Sequence, residues 1–344
     1  MHKKLAIYTD IHFGAKSNDE VHLKDCSEFI DYVIDEVKKN NCDTIIFMGD
    51  WWENRHALNV MTINYALQNI SKLNELNIPI YMIVGNHDLF FRNSRNMHSL
   101  ELFRNFSNIT IVDEPLSIND NMLLVPYLFK EEYAPLAPII NEHKYVFGHF
   151  EFRNFYLTGS SNTLCEHGFI HKLLNKPKYI FSGHYHKRQA VDNIVYIGNP
   201  FGTNFGDVDD VARGMAILNV ETEELDLLDY NGPTYHKTSL SYIAENDISY
   251  PKNARIKCLI DIPISYSDAQ QIKKDLMEAY QLRELILEEN IKEQQAAISE
   301  SAIKELDEMD LSSIDQSIKK LIIEGVQDIA GIQPQLLVNI YEGI

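Results

Sequence analysis

Residues 44–50 read TIIFMGD and residues 80–88 read IYMIVGNHD. Each is an unbroken apolar run that ends in glycine followed by residues able to hold a metal. A strand buried on both faces shows no polar alternation, so such runs mark the parallel strands of an α/β fold. Working outward, the pattern recurs at LAIYTD (5–10), YVFGHF (145–150) and YIFSGHYH (179–186). Folds of this class place their chemistry beyond the carboxyl ends of the strands. Five polar blocks are therefore expected to meet at one edge of a sheet: Asp10-x-His12, Gly49-Asp50, Gly85-Asn86-His87-Asp88, Gly148-His149 and Gly183-His184-Tyr185-His186.

The intervening segments supply helices. In residues 22–40, Phe29, Ile30, Val33, Ile34 and Val37 recur at helical spacing, and the flanking strands complete a βαβ start. A second helix is expected over about Ala57 to Leu76. Its stripe of Val60, Ile63, Leu67, Ile70 and Leu73 suits packing on the sheet or on a second copy. Residues 90–106 read as a polar-aromatic loop with a short helix, and the three prolines of 125–144 point to a surface excursion. The turn Asn231–Pro233 ends a first domain over 1–230. Residues 231–290 read as a small capping domain, with a strand at ARIKCLIDIPI and a helix capped by Ser267. Residues 291–344 are polar and helical in character, with an apolar face of Ile314, Ile318, Leu321, Ile322 and Ile329.

A formal net charge of −19 over 344 residues argues against a purely non-specific grip on nucleic acid. Bound divalent ions would reverse the sign locally, and Lys16, Arg55, Arg92, Arg95, Lys187 and Arg188 lie near the ligand blocks. No apolar stretch reaches the ~20 residues that a bilayer requires. MHKKLAIYTD enters a strand directly with no cleavage site, so no signal peptide is expected. Cys26, Cys42, Cys165 and Cys258 form no close pairs and read as reduced thiols of a cytoplasmic protein. No G-x-x-x-x-G-K-[ST] motif occurs, so any ATP dependence must come from a separate protein.

The donor set suits two divalent ions, Mn²⁺ first among them, with Mg²⁺ or another transition metal as alternatives. A carboxylate has two oxygens to share, so Asp50 suits a bridge. Asp10, His12 and His186 would complete one ion, and Asn86, His149 and His184 the other. His87, adjacent to a ligand but not counted as one, can protonate or stabilise a departing oxygen. One Asp-x-His or Gly-Asp alone is an ordinary turn. Five such blocks, each at a strand end, are not.

In order and spacing, DIHF, GDWWE, GNHD, GHFE and GHYH resemble the signature of the calcineurin-like metallophosphoesterases, over roughly residues 1–230. Within that superfamily the chain is most similar to DNA-repair nucleases of the SbcD type, including the recombination-endonuclease subunit of T-even-like phages. The resemblance implies a β-sandwich flanked by helices, with a small α+β capping domain and a helical C-terminal tail. It also implies a two-Mn²⁺ nuclease that acts as a homodimer on DNA, in the cytoplasm of a bacterial cell or phage-infected host. The tail, 291–344, would bind an SMC-like ABC ATPase. By motif position the ligands are Asp10, His12, Asp50, Asn86, His149, His184 and His186, with His87 at the catalytic histidine's place.

Many cellular relatives carry histidine three residues after the bridging aspartate; here the residue is Glu53. Its carboxylate is expected to hydrogen-bond and orient His87. Trp51, Trp52, Phe90, Phe91 and Tyr185 offer stacking surfaces for bases. Arg92, Arg95, Lys187 and Arg188 offer contacts to phosphates. The competing function is a small-molecule phosphodiesterase or phosphatase using the same metal pair. Glu53-Asn54 in place of the Asp-Arg of Ser/Thr phosphatases speaks against protein phosphatase activity.

Overall fold

The computed structural model describes residues 2–157, 163–208, 210 and 212–289. Two compact units emerge, Met1–Cys258 with Ile262–Leu287, and Leu259–Asp261 with Glu288–Ile344. The expected helical tail, 291–344, lies outside the described residues. Among those residues no helix is long and apolar enough to cross a membrane.

Among the described residues seventeen strands run in chain order: β1 Lys4–Tyr8, β2 Thr44–Phe47, β3 Ile80–Ile83, β4 Leu89–Phe91, β5 Ser94–His98, β6 Ile109–Val112, β7 Leu116–Asn119, β8 Met122–Val125, β9 Tyr145–Gly148, β10 Tyr179–Ser182, β11 Gln189–Val191, β12 Ile194–Tyr196, β13 Gly214–Asn219, β14 Leu225–Asp229, β15 Tyr235–Ser239, β16 Arg255–Ile260 and β17 Glu284–Glu289. They form two six-stranded sheets, β14-β13-β1-β2-β3-β6 and β11-β12-β10-β9-β8-β7, with a three-stranded sheet β15-β16-β17 and the hairpin β4-β5. In the first large sheet β1, β2, β3 and β6 are parallel, while β13 pairs antiparallel with β1 and β14 antiparallel with β13. In the second, β8, β9, β10 and β12 are parallel between antiparallel edges.

Period-two alternation explains why the strands read as unbroken apolar runs. Leu5, Ile7, Ile46, Met48 and Ile83 point inward and meet Leu124, Tyr145, Phe147 and Phe181 of the facing sheet. Their neighbours Ala6, Tyr8, Ile45, Phe47, Ile80 and Met82 point outward, into a second core with the helices Glu20–Asn40 and Val60–Asn74. Val146 and Ile180 likewise face the helix Tyr133–Ile140. The result is a β-sandwich flanked by helices, with both faces of each sheet covered.

Several sequence expectations are corrected. The five ligand blocks do not leave one sheet: three follow β1, β2 and β3, and two follow β9 and β10 of the other sheet. Residues 89–98 form the hairpin β4-β5 rather than a loop. The proline-rich 125–144 stretch includes the helix Tyr133–Ile140. Pro135 lies in its first turn, where no backbone donor is needed, and burial of Tyr133, Leu136 and Ile140 offsets the bond lost at Pro138. The second helix is Val60–Asn74, capped by Asn59; Ile70 and Leu73 are buried while Val60 is 82% exposed. The helix after β16 starts two residues earlier than expected, because Ser265, not Ser267, accepts the Asp268 amide as cap. All four cysteines are buried and none is in a disulfide.

The β15-β16-β17 sheet is fastened to the first helix by buried charge. Asp25 accepts from Arg255 Nη2 at 2.5 Å and from Arg283 Nε at 3.0 Å, and both Asp25 and Arg255 are almost wholly buried.

Candidate dinuclear metal centre

Because β1, β2 and β3 are adjacent and parallel, Asp10, Asp50 and Asn86 emerge side by side. His149 and His184 do the same above β9 and β10. The two ends are clasped together: the His184 amide donates to Asp10 Oδ2 at 3.1 Å, and His149 Nδ1 lies 2.8 Å from the Met48 carbonyl. The latter bond commits Nδ1 as donor and leaves Nε2 for the site.

The seven predicted ligands gather in two groups around Asp50. Asp10, His12 and His186 form one, with His12 Nε2 3.1 Å from His186 Nε2 and 3.8 Å from Asp10 Oδ1. Asp50, His149 and His184 form the other, with His149 Nε2 3.2 Å from Asp50 Oδ2. Asn86 Oδ1 sits 2.9 Å from both His149 Nε2 and His184 Nδ1. Asp50 Oδ2 is 3.9 Å from His12 Nε2, so the same carboxylate faces both groups.

The backbone is bent to do this. Asp10, His12, Asp50 and His184 all have left-handed φ, between 52° and 84°. For non-glycine residues each such conformation costs on the order of 1–3 kcal/mol, and it persists only where the surroundings impose it. The glycines preceding the ligands permit the close approach. A Cβ on Gly85 would lie 2.2 Å from Asp50 Oδ1, and one on Gly183 would lie 2.1 Å from Thr9 Oγ1.

The electrostatics fit cations. Asp10 and Asp50 are buried, which opposes their charge, yet neighbouring imidazoles hold both below the usual carboxylate range. Burial likewise opposes charge on His149, and the Asp50 carboxylate outweighs it, raising the imidazole to about 9. Hard oxygen donors mixed with imidazoles, buried and anionic, match a pair of divalent ions. Asp10, His12 and His186 would hold one, Asn86, His149 and His184 the other, and Asp50 both. Such a pair polarises the phosphoryl group and lowers the pKa of a bound water.

His87 stands beside this centre. Its amide donates to Asp50 Oδ1 at 2.8 Å, and its Nδ1 lies 2.8 Å from the Glu53 carbonyl oxygen, which leaves Nε2 outside that bond. The Glu53 expectation is corrected. The backbone carbonyl of Glu53, not its carboxylate, accepts the hydrogen bond from His87, although the carboxylate lies in one cluster with the His12 and His87 imidazoles. The carboxylate lies 2.8 Å from His12 Nδ1, off the line of a hydrogen bond.

The proposed nucleic-acid contacts are mostly used elsewhere. Tyr185 is buried, and its hydroxyl donates to the Phe152 carbonyl. Arg95 forms a fork on Glu132 at 2.5 and 2.7 Å, and Arg188 bonds the Ile197 carbonyl and Asp229. Trp51 and Trp52 are fully buried beside Phe103. Lys187 lies over the Tyr156 ring. Arg92, Phe90 and Phe91 remain exposed. Lys16 bonds the Tyr235 hydroxyl, so the basic residues do not make one continuous rim.

Three supporting residues escaped the sequence reading. Asp88 accepts four backbone amides, from Gly85, Asp50, Trp51 and Trp52, at 2.9–3.2 Å, and so locks the second and third blocks together. Thr9 donates to Asp10 Oδ2 at 2.6 Å. Arg213, buried between Asp207 and Asp210, donates to the His186 carbonyl. Asp88 ends a recognised block without a role assigned to it and Thr9 adjoins one, which was the available signal; Arg213 gave none.

The family model described as calcineurin-like phosphoesterase matches residues 3–188, which contain every one of these blocks. The chain belongs to the calcineurin-like phosphoesterase family. Exonuclease subunit 1 of Enterobacteria phage T4 is 30% identical over 247 residues, covering 70% of this chain and 71% of that protein. A phosphoesterase of Invertebrate iridescent virus 3 is 26% identical over 258 residues, covering 69% and 68%. Among solved structures, a dimetal phosphatase from Danio rerio shares 9% identity, with a TM-score of 0.41 over 63% of this chain and 92% of that one. As a calcineurin-like phosphoesterase the chain is a hydrolase of phosphoesters with a dinuclear divalent-metal centre.

Proposed function

We propose that this phosphoesterase is a two-metal DNA nuclease, the hydrolytic subunit of a complex acting in repair, recombination or replication in the cytoplasm of a phage-infected or bacterial cell. The observation that carries the reading is Asp50 facing two three-residue ligand groups, with His87 held beside them through its amide on Asp50 and its Nδ1 at the Glu53 carbonyl. Similarity to an exonuclease subunit over 70% of the chain supports DNA as the substrate. Mn²⁺ suits the mixed carboxylate, amide and imidazole donors. An SMC-like ABC ATPase engaging 291–344, and a homodimer, complete the proposal.

In this reading the chain's own groups have defined tasks. Asp10 and Asp50 supply fixed negative charge for the cations. Asn86 adds an oxygen donor without adding charge. His87, held through Nδ1 at the Glu53 carbonyl, carries or withholds a proton at Nε2 where the leaving oxygen departs. The test is to purify the chain, add Mn²⁺, and offer single-stranded DNA, duplex ends and a chromogenic phosphodiester. DNA cleavage is expected. Hydrolysis of the small ester with DNA untouched, even beside the cognate ATPase, would establish a small-molecule phosphodiesterase instead. Deleting 291–344 is expected to abolish ATPase capture in a pull-down; undiminished capture would refute that assignment.

A further inference from the structure

A cavity of about 560 Å³ adjoins the metal centre. That volume is within the ~300–1,000 Å³ typical of small-ligand sites. Its walls are continuations of the ligand blocks. Tyr127 lines it, and the Tyr127 ring centroid is 5.9 Å from that of His184 and 6.2 Å from that of His149. Glu151 follows His149 by two residues, and Arg92 is at the tip of the β4-β5 hairpin that starts just past Asn86-His87.

One side of the cavity is aromatic, formed by Tyr127, Phe129 and Phe169. Arg95 covers one face of Phe129, with its guanidinium 5.1 Å from the ring centroid. Tyr133 stacks on one face of Phe169 at 4.9 Å and 19°. Each ring is therefore stiffened from behind and has a single face left to offer. The exposed charged groups lining it are Arg92, Lys130 and Glu131, while Glu132 is already paired with Arg95. Arg92 has no ion-pair partner among the described residues, unlike Arg95 and Arg188.

We infer that this cavity seats the nucleotide next to the scissile phosphate, with the base against Phe129, Phe169 and Tyr127 and the neighbouring phosphate on Arg92 and Lys130. The inference rests on the nuclease reading and adds a substrate subsite to it. Flat rings accept any base, and a free guanidinium accepts any phosphate, so the site selects for a nucleotide without selecting its sequence. Glu151 and the aromatic wall together disfavour a bare phosphate, which has nothing to stack and meets a carboxylate.

The test compares two chromogenic diesters with the same leaving group, thymidine 5′-(p-nitrophenyl phosphate) and methyl p-nitrophenyl phosphate, alongside single-stranded DNA, all with Mn²⁺. The wild-type protein is expected to prefer the nucleoside ester in kcat/KM. In Phe129→Leu that preference is expected to fall about fivefold to tenfold, the scale of one lost stacking contact, with KM for DNA rising in step, whereas Arg92→Ala, whose phosphate partner the mononucleoside ester lacks, is expected to keep the preference and raise KM for DNA about fivefold to tenfold. Arg92 is exposed, so its variant folds even if Phe129→Leu does not. Wild-type protein that cleaves DNA, with KM for DNA unmoved in the Arg92 variant and with preference and KM unmoved in a folded Phe129 variant, would overturn the subsite alone. Wild-type protein that hydrolyses the methyl ester but leaves DNA intact would overturn the nuclease reading, and the subsite with it.

Discussion

The glycine that precedes His184 offers the sharpest test of the metal centre. A methyl group on Gly183 would lie 2.1 Å from Thr9 Oγ1 and 2.8 Å from both Asp10 Oδ2 and His149 Nδ1. Real Cβ contacts stay beyond 3.0 Å, so Thr9 must move by about 0.9 Å and the two ligands by smaller amounts. Thr9 holds Asp10 through its 2.6 Å hydrogen bond, and Asp10 receives the His184 amide, so the displacement falls on ligands of both groups. Disturbed support of ligands typically costs 10–100-fold in metal affinity, and a misplacement near 1 Å costs ~10²-fold in rate. Gly183→Ala is therefore expected to weaken Mn²⁺ binding by calorimetry about 10–100-fold and to lower kcat/KM about 10²-fold, with the protein still folded by circular dichroism. Gly202→Ala is the control: its nearest neighbour, a Tyr235 ring atom at 3.0 Å, is remote from the ligands, and wild-type Mn²⁺ affinity is expected. A folded Gly183→Ala protein with undiminished Mn²⁺ affinity would refute the argument that close backbone approach at this strand end builds the site.

Other perturbations probe the surroundings. Glu53→Gln is expected to weaken Mn²⁺ binding about tenfold by calorimetry, because its carboxylate lies against His12 Nδ1; a change confined to turnover, with affinity intact, would point back to His87. Asp25→Ala leaves Arg255 buried with only Glu284 at 3.3 Å, and should destabilise the fold by ~3–5 kcal/mol in urea titration, whereas adding Arg255→Met should restore much of it. A loss below about 1 kcal/mol would show that this ion cluster is not structurally important. Lys16 is lowered to about 8, chiefly by burial and then by Arg255. Its pKa is depressed on folding, so between about 8 and its ordinary value the unfolded chain binds more protons and stability rises with pH. In EDTA the urea midpoint should climb over that window, and climb less in Lys16→Met; identical slopes would contradict the assignment.

The strand blocks and the polar residues that end them are legible in the sequence. A strand covered on both faces must be apolar at every position, as TIIF and YIFS are, and the bends beyond such strands need glycine beside polar residues. Those local demands leave a legible trace, and Asp10, His12, Asp50, Asn86, His149, His184 and His186 do come together in space. Tertiary structure alone decided which sheet each strand joins. Pairing of β1 with β13 joins residues some two hundred apart, and no local pattern encodes it. The same holds for side-chain fate. Tyr185, Arg95 and Arg188 look like ligand-binding groups in sequence, but a carbonyl or carboxylate brought from a distant segment claims each one. Glu53 turned to His12 for the same reason: a carboxylate reaches whichever imidazole folding brings near, and a sequence does not state distances.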